Sequence, residues 1–598
     1  MLYASQTPYW DDWSMGARMA MYVESGFDTT WLYGLTNEHR ATFSKITNLI
    51  LFDLNSEQWD PYLTMVFDTF IWATTGITLL YIGFKEKMRI NSWFFSALII
   101  ILWTYPLSLF NILSTIQTYL YYMTLFVICG FWLVTHKAFS LKWCLGILLI
   151  AAACMTTGGG SFAPVAVTTV SCFLAIFNKQ DRRQHLITFA AAGVFAAFGL
   201  YLILSQKGSA EFIHTKSLGE YFTSLFKTLS WPNSNRVWPS IIFLLPIGLL
   251  ALAIVRQKIA QSRITTFTLI MATFSIMIAI AISYARSMYG RGPSERYFDF
   301  LTIYLISSAL ALMLIQGSKL TLPTLFNNNL IILWVIVLIT AIPFHIKVAQ
   351  FQLNDRATLV PIQDDIMARY SVNSDPKIFE NRSFREVPYT SINDLQTIMS
   401  KLSNTDALPY NLQSSNMVYD TNNNNAFIVN GIRRPKYDRY RGLELSIGSF
   451  NPHYGGLMTK GEYTSELFEA KRSYLMIPVS GFLGYEGTSL KLIGENNNKV
   501  IEVTPEKNSL DNIKQWRDIL VKAPDKTFRI VAKDETEKYW FAYAAPRSVG
   551  KLSYYFDRLI KNGDKIWIFG LLILFFACRQ KVIAFIKLNY TNANVDLN

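Results

Sequence analysis

The stretch Ile264–Gln316, ITTFTLIMATFSIMIAIAISYARSMYGRGPSERYFDFLTIYLISSALALMLIQ, decides the fold. It holds two apolar runs, 264–284 and 298–316, each long enough to cross the roughly 30 Å of a bilayer's hydrocarbon core as a helix. The connection between them carries Arg286, Arg291 and Arg296. The same kind of run recurs at 62–84, 92–109, 119–136, 143–157, 162–177, 186–204, 238–255, 330–348 and 564–578, which makes about eleven spans. Composition agrees, because 51% of residues are hydrophobic and only 16% are charged, against about a quarter in a soluble domain. The chain reads as a multi-pass α-helical membrane protein.

Orientation follows from the short connections. Those at 85–89, 137–142, 178–184 (NKQDRRQ), 256–263 (RQKIAQSR), 316–319 (QGSK) and 578–581 (CRQK) are all basic. The positive-inside rule places them in the cytoplasm. Segments 1–61 and 349–563 then face outward from the cytoplasmic membrane. Because the chain begins on that outer side, one more transmembrane helix is expected ahead of Met1. The net charge of +13 is a topology signal plus a basic outer domain, which argues against nucleic-acid binding. Cys129, Cys144, Cys154, Cys172 and Cys578 all fall in or beside spans, so no disulfide framework is expected outside. Neither CxxC nor HExxH occurs.

Four regions result: a first outer loop (1–61), a helical bundle (62–348), an outer domain (349–563), and a last span with a cytoplasmic tail (564–598). The outer domain begins with helical spacing in DDIMARY (364–370) and SINDLQTIMSKL (391–402). From about 410 it turns to short strands, among them SYLMIPVSG (473–481), SLKLIG (489–494), TFRIVAKD (527–534) and YWFAYAAP (539–546). Strands of that density, separated by Asn-, Gly- and Pro-rich turns, predict a β-sandwich. Within them Trp540, Phe541 and Tyr543 could form a platform or belong to the core, and core is favoured for the alternating members.

Four constellations could carry chemistry. TPYWDDWSMG (7–16) sets Asp11 and Asp12 between Trp10 and Trp13, with His39 and Arg40 of NEHR (37–40) on the same loop. A carboxylate can take a proton from a sugar hydroxyl, and indole faces suit sugar rings, although interfacial tryptophans also serve as membrane anchors. Arg286, Arg291 and Arg296, with Tyr297, lie at an outward end, where the positive-inside rule does not explain them. Arginine holds planar oxyanions bidentately, so the cluster suits a phosphate or diphosphate, unless it is paired with Glu295 or Asp299. In SLFNILSTIQTYLYY (108–122), Asn111 and Gln117 can hydrogen-bond a sugar or join helices. In MTTGGGSFAPVAV (155–167) the glycines favour a hairpin turn. Asp68 is an intramembrane acid and a candidate on that ground, unless it lies near enough to the surface to be hydrated. His214, His453 and the doublet Asp364–Asp365 read as surface groups.

Taken in order, PYWDDW, NEHR, FNILSTIQTYLYY, TTGGGSFAPV and ARSMYGRGPSERYFDF resemble a divergent bacterial group of the GT-C superfamily of membrane glycosyltransferases, over about 1–348. The resemblance implies transfer of a sugar from a polyprenyl-phosphate donor to a cell-envelope glycan or glycolipid, such as an O-antigen or lipopolysaccharide core. Transfer would occur on the outer face of a bacterial inner membrane, with inversion at the sugar. It also implies Asp11 or Asp12 as general base, with a divalent Mg or Mn possible there, and Arg286, Arg291 or Arg296 as phosphate ligands. His39 and Arg40 would line the same site, and the strand-rich region resembles a carbohydrate-binding sandwich. The competing classes are a polysaccharide polymerase or ligase using lipid diphosphates, and a transporter or flippase of lipid-linked sugars.

Overall fold

The computed structural model describes residues 5–36, 39–85, 92–104, 108–205, 214–285, 290–316, 318, 324–383, 385–413, 427–429, 446–451, 457–458, 460–505 and 516–561. The chain divides into two compact units, one of 1–53, 59–414 and 434–443, the other of 54–58, 415–433 and 444–598.

In the first unit the helices are α1 (Asp12–Ser25), α2 (Thr29–Tyr33), α3 (Thr42–Leu54), α4 (Pro61–Lys85), α5 (Ser92–Thr104) and α6 (Leu109–Ile112). They continue with α7 (Thr118–Val134), α8 (Leu141–Ala153), α9 (Phe162–Phe177), α10 (Arg182–Leu204), α11 (Leu218–Leu229) and α12 (Pro239–Val255). The last four are α13 (Arg263–Ala285), α14 (Phe298–Gln316), α15 (Thr324–Asn373) and α16 (Ile392–Asn404). Among the described residues, seven helical stretches are long and apolar enough to cross a membrane: Pro61–Lys85, Thr115–Val134, Gly158–Phe177, Arg182–Leu204, Arg263–Ala285, Glu295–Gln316 and Asn329–Ser371. The apolar helices Phe94–Thr104, Leu141–Ala153 and Pro239–Val255 are shorter and occupy the expected positions. The protein is thus membrane-embedded and helical, and the stretch 564–578 lies outside the described residues.

Helix α14 is the centre of the bundle, buried along nearly its whole length, with Leu301, Ile303, Tyr304 and Leu305 fully enclosed. Other helices turn apolar side chains outward, among them Phe70 and Ile77 of α4, Val194 and Tyr201 of α10, and Ile332, Ile336 and Ile339 of α15. Such a surface is stable against lipid and unstable against water. Of the three glycines in the 155–167 motif, Gly160 is the one that packing demands. A Cβ there would lie 2.0 Å from the Ala153 carbonyl oxygen, whereas nothing approaches within 4 Å of one on Gly158. Thr157 Oγ1 accepts from Gly160 N–H at 3.1 Å and closes the turn. Gly160→Ala is expected to cost about 1–3 kcal/mol, as overpacking does. Gly158→Ala should stay within about 0.5 kcal/mol of the parent. Paired unfolding curves in detergent measure both.

Two expectations are corrected in this unit. Segment 1–61 is not a plain loop, because α1 and α3 bury Trp13, Met15, Met19, Leu49 and Phe52. They do so against Trp59 and against Ile366, Met367, Leu395, Met399 and Leu402 from the end of α15 and from α16. The boundary at 349 does not separate domains either. At 1.5 Å per residue the 50-residue α15 is about 75 Å long, more than twice a bilayer core, and it continues from its apolar half into 349–373 without a break. The change in polarity at 349 marks a change in the helix's surroundings, while the helix itself continues, through Pro343 and Pro361. Residues 349–414 therefore belong with the bundle, and the β unit begins after them.

The second unit is built from antiparallel sheets. One runs Ile428–Val429, Ser446–Gly448, Phe541–Ala544, Tyr474–Gly481 and Arg517–Lys522, with Arg547–Val549 also paired to Tyr474–Gly481. The other runs Gly461–Thr464, Thr527–Asp534, Thr488–Gly494 and Val500–Glu502, with Phe468–Glu469 on the edge of Thr527–Asp534. A small hairpin joins Phe450–Asn451 to Leu457–Met458. Alternation along Thr527–Asp534 buries Phe528, Ile530 and Ala532. These share one core with Ile477, Val479, Phe541 and Tyr543 of the first sheet, which is the arrangement of a sandwich. Trp540, Phe541 and Tyr543 are buried, in keeping with a core role. Asn496 and Asn497 form a tight turn before Val500, while Asn422–Asn425 and His453 lie outside the described residues. Helix α17 (Lys551–Lys561) follows, held by Asn55 Nδ2, which donates to Ser553 Oγ at 2.9 Å.

Candidate functional site: a basic cleft and an apolar groove

The connection between α13 and α14 borders two cavities of the first unit. One is a cleft of about 930 Å³ lined by this connection, by Tyr9 and Ser114, by Lys227 of α11, by Gln352, Asp355 and Arg356 of α15, and by Arg385. Its walls carry the cations Lys227, Arg291, Arg296, Arg356 and Arg385 against the carboxylates Glu295 and Asp355. Both carboxylates are engaged, since Arg385 pairs with Asp355 and Gln352 donates to Glu295. Lys227 Nζ donates to the Gly290 carbonyl at 2.9 Å. Among the described residues no carboxylate forms an ion pair with Arg291, Arg296 or Arg356, so the cleft keeps an excess of positive charge. The Arg356 guanidinium lies 5.0 Å from the Tyr9 ring centre, and its Nε is buried without a hydrogen-bond partner.

The other cavity is an apolar groove of about 610 Å³. Tyr119 and Leu120 of α7, Gly158 and Gly159, Ile278 and Ile282 of α13, and Tyr297 and Phe300 line it, together with His39, Gln117 and His214. Arg296 lines both cavities.

The sequence candidates separate on inspection. Asp12 is fully buried, and its Oδ1 accepts from Ser114 Oγ at 3.0 Å, Thr115 Oγ1 at 2.8 Å and Ile116 N–H at 3.0 Å. Its Oδ2 accepts from Tyr9 N–H at 3.3 Å. Burial raises its pKa above the ordinary carboxylate range, and these hydrogen bonds oppose the rise. The residue ties α1 to the turn before α7. Asp11, by contrast, is exposed at the start of α1 and lines neither cavity, although Tyr9, two residues earlier, lines the cleft. Trp13 cannot offer a face to a sugar, because its indole is fully buried with its ring 6.0 Å from that of Trp59. Trp10 is half-buried, and its backbone N–H donates to the Pro388 carbonyl at 2.7 Å.

His39 reaches the groove with its ring 4.8 Å from Tyr119. Burial and then the nearby Arg296 lower its pKa to about 4, so it is neutral at pH 7. Its depressed value contributes stability above the ordinary histidine pKa of about 6.5, which is lost as pH falls from there towards about 4. The wild-type protein should lose stability relative to His39→Gln across that window, read as the pH dependence of thermal unfolding. Arg40 lines neither cavity and donates to the Tyr33 carbonyl at 2.8 Å. Gln117 lines the groove. Asn111 is used internally, its Nδ2 donating to Asp299 Oδ2 at 2.7 Å and to the Arg296 carbonyl at 3.0 Å. Asp299 is thereby engaged and the backbone of Arg296 is fixed. Asp68 is buried in α4, where Thr118 Oγ1 donates to it at 3.1 Å. Asp364 is also buried and accepts from Ser5 Oγ at 2.8 Å, so the surface reading of that doublet holds for neither this contact nor Asp365, which pairs with Arg369. Asn37, Glu38 and Arg286 lie outside the described residues.

The acidic pair does not fit a divalent cation. Asp12 has both oxygens taken by protein donors, which leaves Asp11 as a single ligand, and no cluster of three metal-ligating side chains occurs among the described residues.

Several site residues carry no sequence motif. Arg356 and Arg385 come from the segment assigned to a separate domain, and Lys227 from the amphipathic α11, whose start is capped by Ser217 Oγ accepting from Glu220 N–H at 3.2 Å. Lys45 is fully buried, with Nζ donating to the Gly34 carbonyl at 2.6 Å and the Trp31 carbonyl at 3.0 Å. It thereby holds the stretch leading to His39, and burial, with Arg18 and Arg40, lowers its pKa to about 7. No family model, curated protein or solved structure matches this chain.

Proposed function

We propose that this protein is a membrane glycosyltransferase that moves a sugar from a polyprenyl-phosphate donor to a glycan or glycolipid of the bacterial envelope, at the outer face of the cytoplasmic membrane. The observation that carries the reading is Arg296, shared between an apolar groove and a cleft rich in unpaired cations. A long isoprenoid chain suits the groove, whose walls are aromatic and aliphatic. Its phosphate suits the guanidinium at the groove's end, by charge and by bidentate geometry.

The chemistry is one displacement. The acceptor hydroxyl gives its proton to a carboxylate, and its oxygen forms a bond to the anomeric carbon. The bond from that carbon to the phosphate oxygen breaks, and the polyprenyl phosphate leaves with the electron pair. Arg296 stabilises the charge developing on the phosphate. Asp11 is assigned as the base because it is the exposed member of the acidic motif and, though on neither cavity wall, lies near enough to Tyr119 of the groove for their charges to interact, while Asp12 is spent on hydrogen bonds. Attack opposite the leaving group inverts the sugar.

Native mass spectrometry of the detergent-purified protein tests the lipid assignment. Polyprenyl phosphate should remain bound at collision energies that strip phosphatidylethanolamine. Ile278→Trp, which fills the groove, should remove it. Retention of both lipids alike, or indifference to Ile278→Trp, counts against the assignment.

A further inference from the structure

Resting on the reading above, we propose that the basic cleft takes an anionic glycan acceptor, one bearing carboxylates or phosphates, and that Arg356 holds it. One arginine on the groove wall is enough for the single phosphate of the donor, and Arg296, which lines both cavities, is assigned to it. Arg291 and Arg356 remain on the cleft wall, neither in an ion pair among the described residues. Arg356 is the more telling of the two. Its Nε is buried without a partner, its guanidinium lies over Tyr9, and it faces a cleft whose two carboxylates are both engaged. Asp12, Asp364 and Asp355 lie near enough for their charges to act on Arg356, yet none forms an ion pair with it, so an arriving anion adds the direct, charge-assisted contact that the half-buried guanidinium lacks. A neutral acceptor would not make that contact.

Size points the same way. A cleft of about 930 Å³ lies in the range that takes a ligand of several rings and is far larger than a phosphate group needs. Ser234, Asn235 and Ser294 on its wall offer hydrogen-bonding groups for sugar hydroxyls. Charge for the acid groups and neutral donors for the ring are what an acidic oligosaccharide requires.

The test measures binding without turnover, using the full-length protein in nanodiscs of zwitterionic lipid. The soluble probes are trigalacturonate, maltotriose and inorganic phosphate, and polyprenyl phosphate is measured in parallel. Trigalacturonate should bind at least tenfold more tightly than maltotriose and than inorganic phosphate. Arg356→Gln should weaken trigalacturonate at least tenfold and leave polyprenyl phosphate within twofold. Arg356→Lys, which keeps charge without the planar fork, should recover part of the loss and shows that the variant protein is folded. Equal binding of the two trisaccharides overturns the inference. So does phosphate binding as tightly as trigalacturonate, which makes the cleft a site for a single phosphate. Loss of polyprenyl phosphate with Arg356→Gln also overturns it, by assigning the cleft to the donor. Acid-selective binding in a protein that transfers no sugar leaves this inference standing and removes the glycosyltransferase reading. Transfer to neutral and acidic acceptors alike does the reverse.

Discussion

Arg296→Gln is expected to lower the initial rate of sugar transfer by about 10²–10³, the usual consequence of removing one preorganised donor from a developing oxyanion. Arg296 is exposed, and its guanidinium lies 5.9 Å from the Tyr297 ring without an ion-pair partner among the described residues. The hydrogen bond between Asn111 and residue 296 uses the backbone carbonyl, which the substitution keeps. Folding stability should therefore stay within about 0.5 kcal/mol of the parent. Arg296→Lys keeps the charge but not the fork, and should fall between the two. A stable Arg296→Gln protein with full transfer activity would remove the phosphate assignment.

The adjacent aspartates should fail in opposite ways. Asp12→Ala leaves the Ser114 and Thr115 hydroxyls and the Ile116 N–H without their acceptor in a buried place. At about 1–3 kcal/mol for each buried group left unsatisfied, the expected loss is about 3–5 kcal/mol, with water entry keeping it below the full sum. Asp11→Ala removes an exposed carboxylate and should change stability by no more than about 0.5 kcal/mol. It should lower transfer by about 10²–10⁴, the range for loss of a general base. Denaturant unfolding in detergent, paired with initial rates, separates the two. A stable but inactive Asp12→Ala protein would exchange the roles assigned to the pair.

The membrane helices were legible because a run of about twenty apolar residues has few other uses. The helical fold of 1–61 was harder to see. Trp13, Gly16, Met19 and Ala20 recur at helical spacing in α1, but charged residues and glycines dilute the pattern, and its partner surface lies more than three hundred residues away in α15 and α16. The domain boundary is misplaced for a related reason: hydropathy reports a helix's surroundings, while α15 stays helical through the change.

The candidate site divides along the same line. Motifs far apart in the chain supply His39, Gln117, Gly158, Gly159, Arg296 and Tyr297 to one groove, so their residue types and order were informative. Spacing could not tell that Trp13 packs against Trp59, that Asp12 is saturated with hydrogen bonds, or that Asn111 serves Asp299. Those are properties of three-dimensional partners. Arg356 and Arg385 sit in no recognisable pattern, and only the path of α15 and of the segment that follows it brings them to the cleft.

The most direct test supplies the purified full-length protein with polyprenyl phosphates carrying a labelled sugar, together with membrane glycan extracted from its host. The account predicts that label moves to the glycan with release of one polyprenyl phosphate for each sugar transferred, and that Arg296→Gln suppresses both together. Movement of intact lipid-linked sugar across a vesicle membrane, with no transfer and no released polyprenyl phosphate, would contradict it.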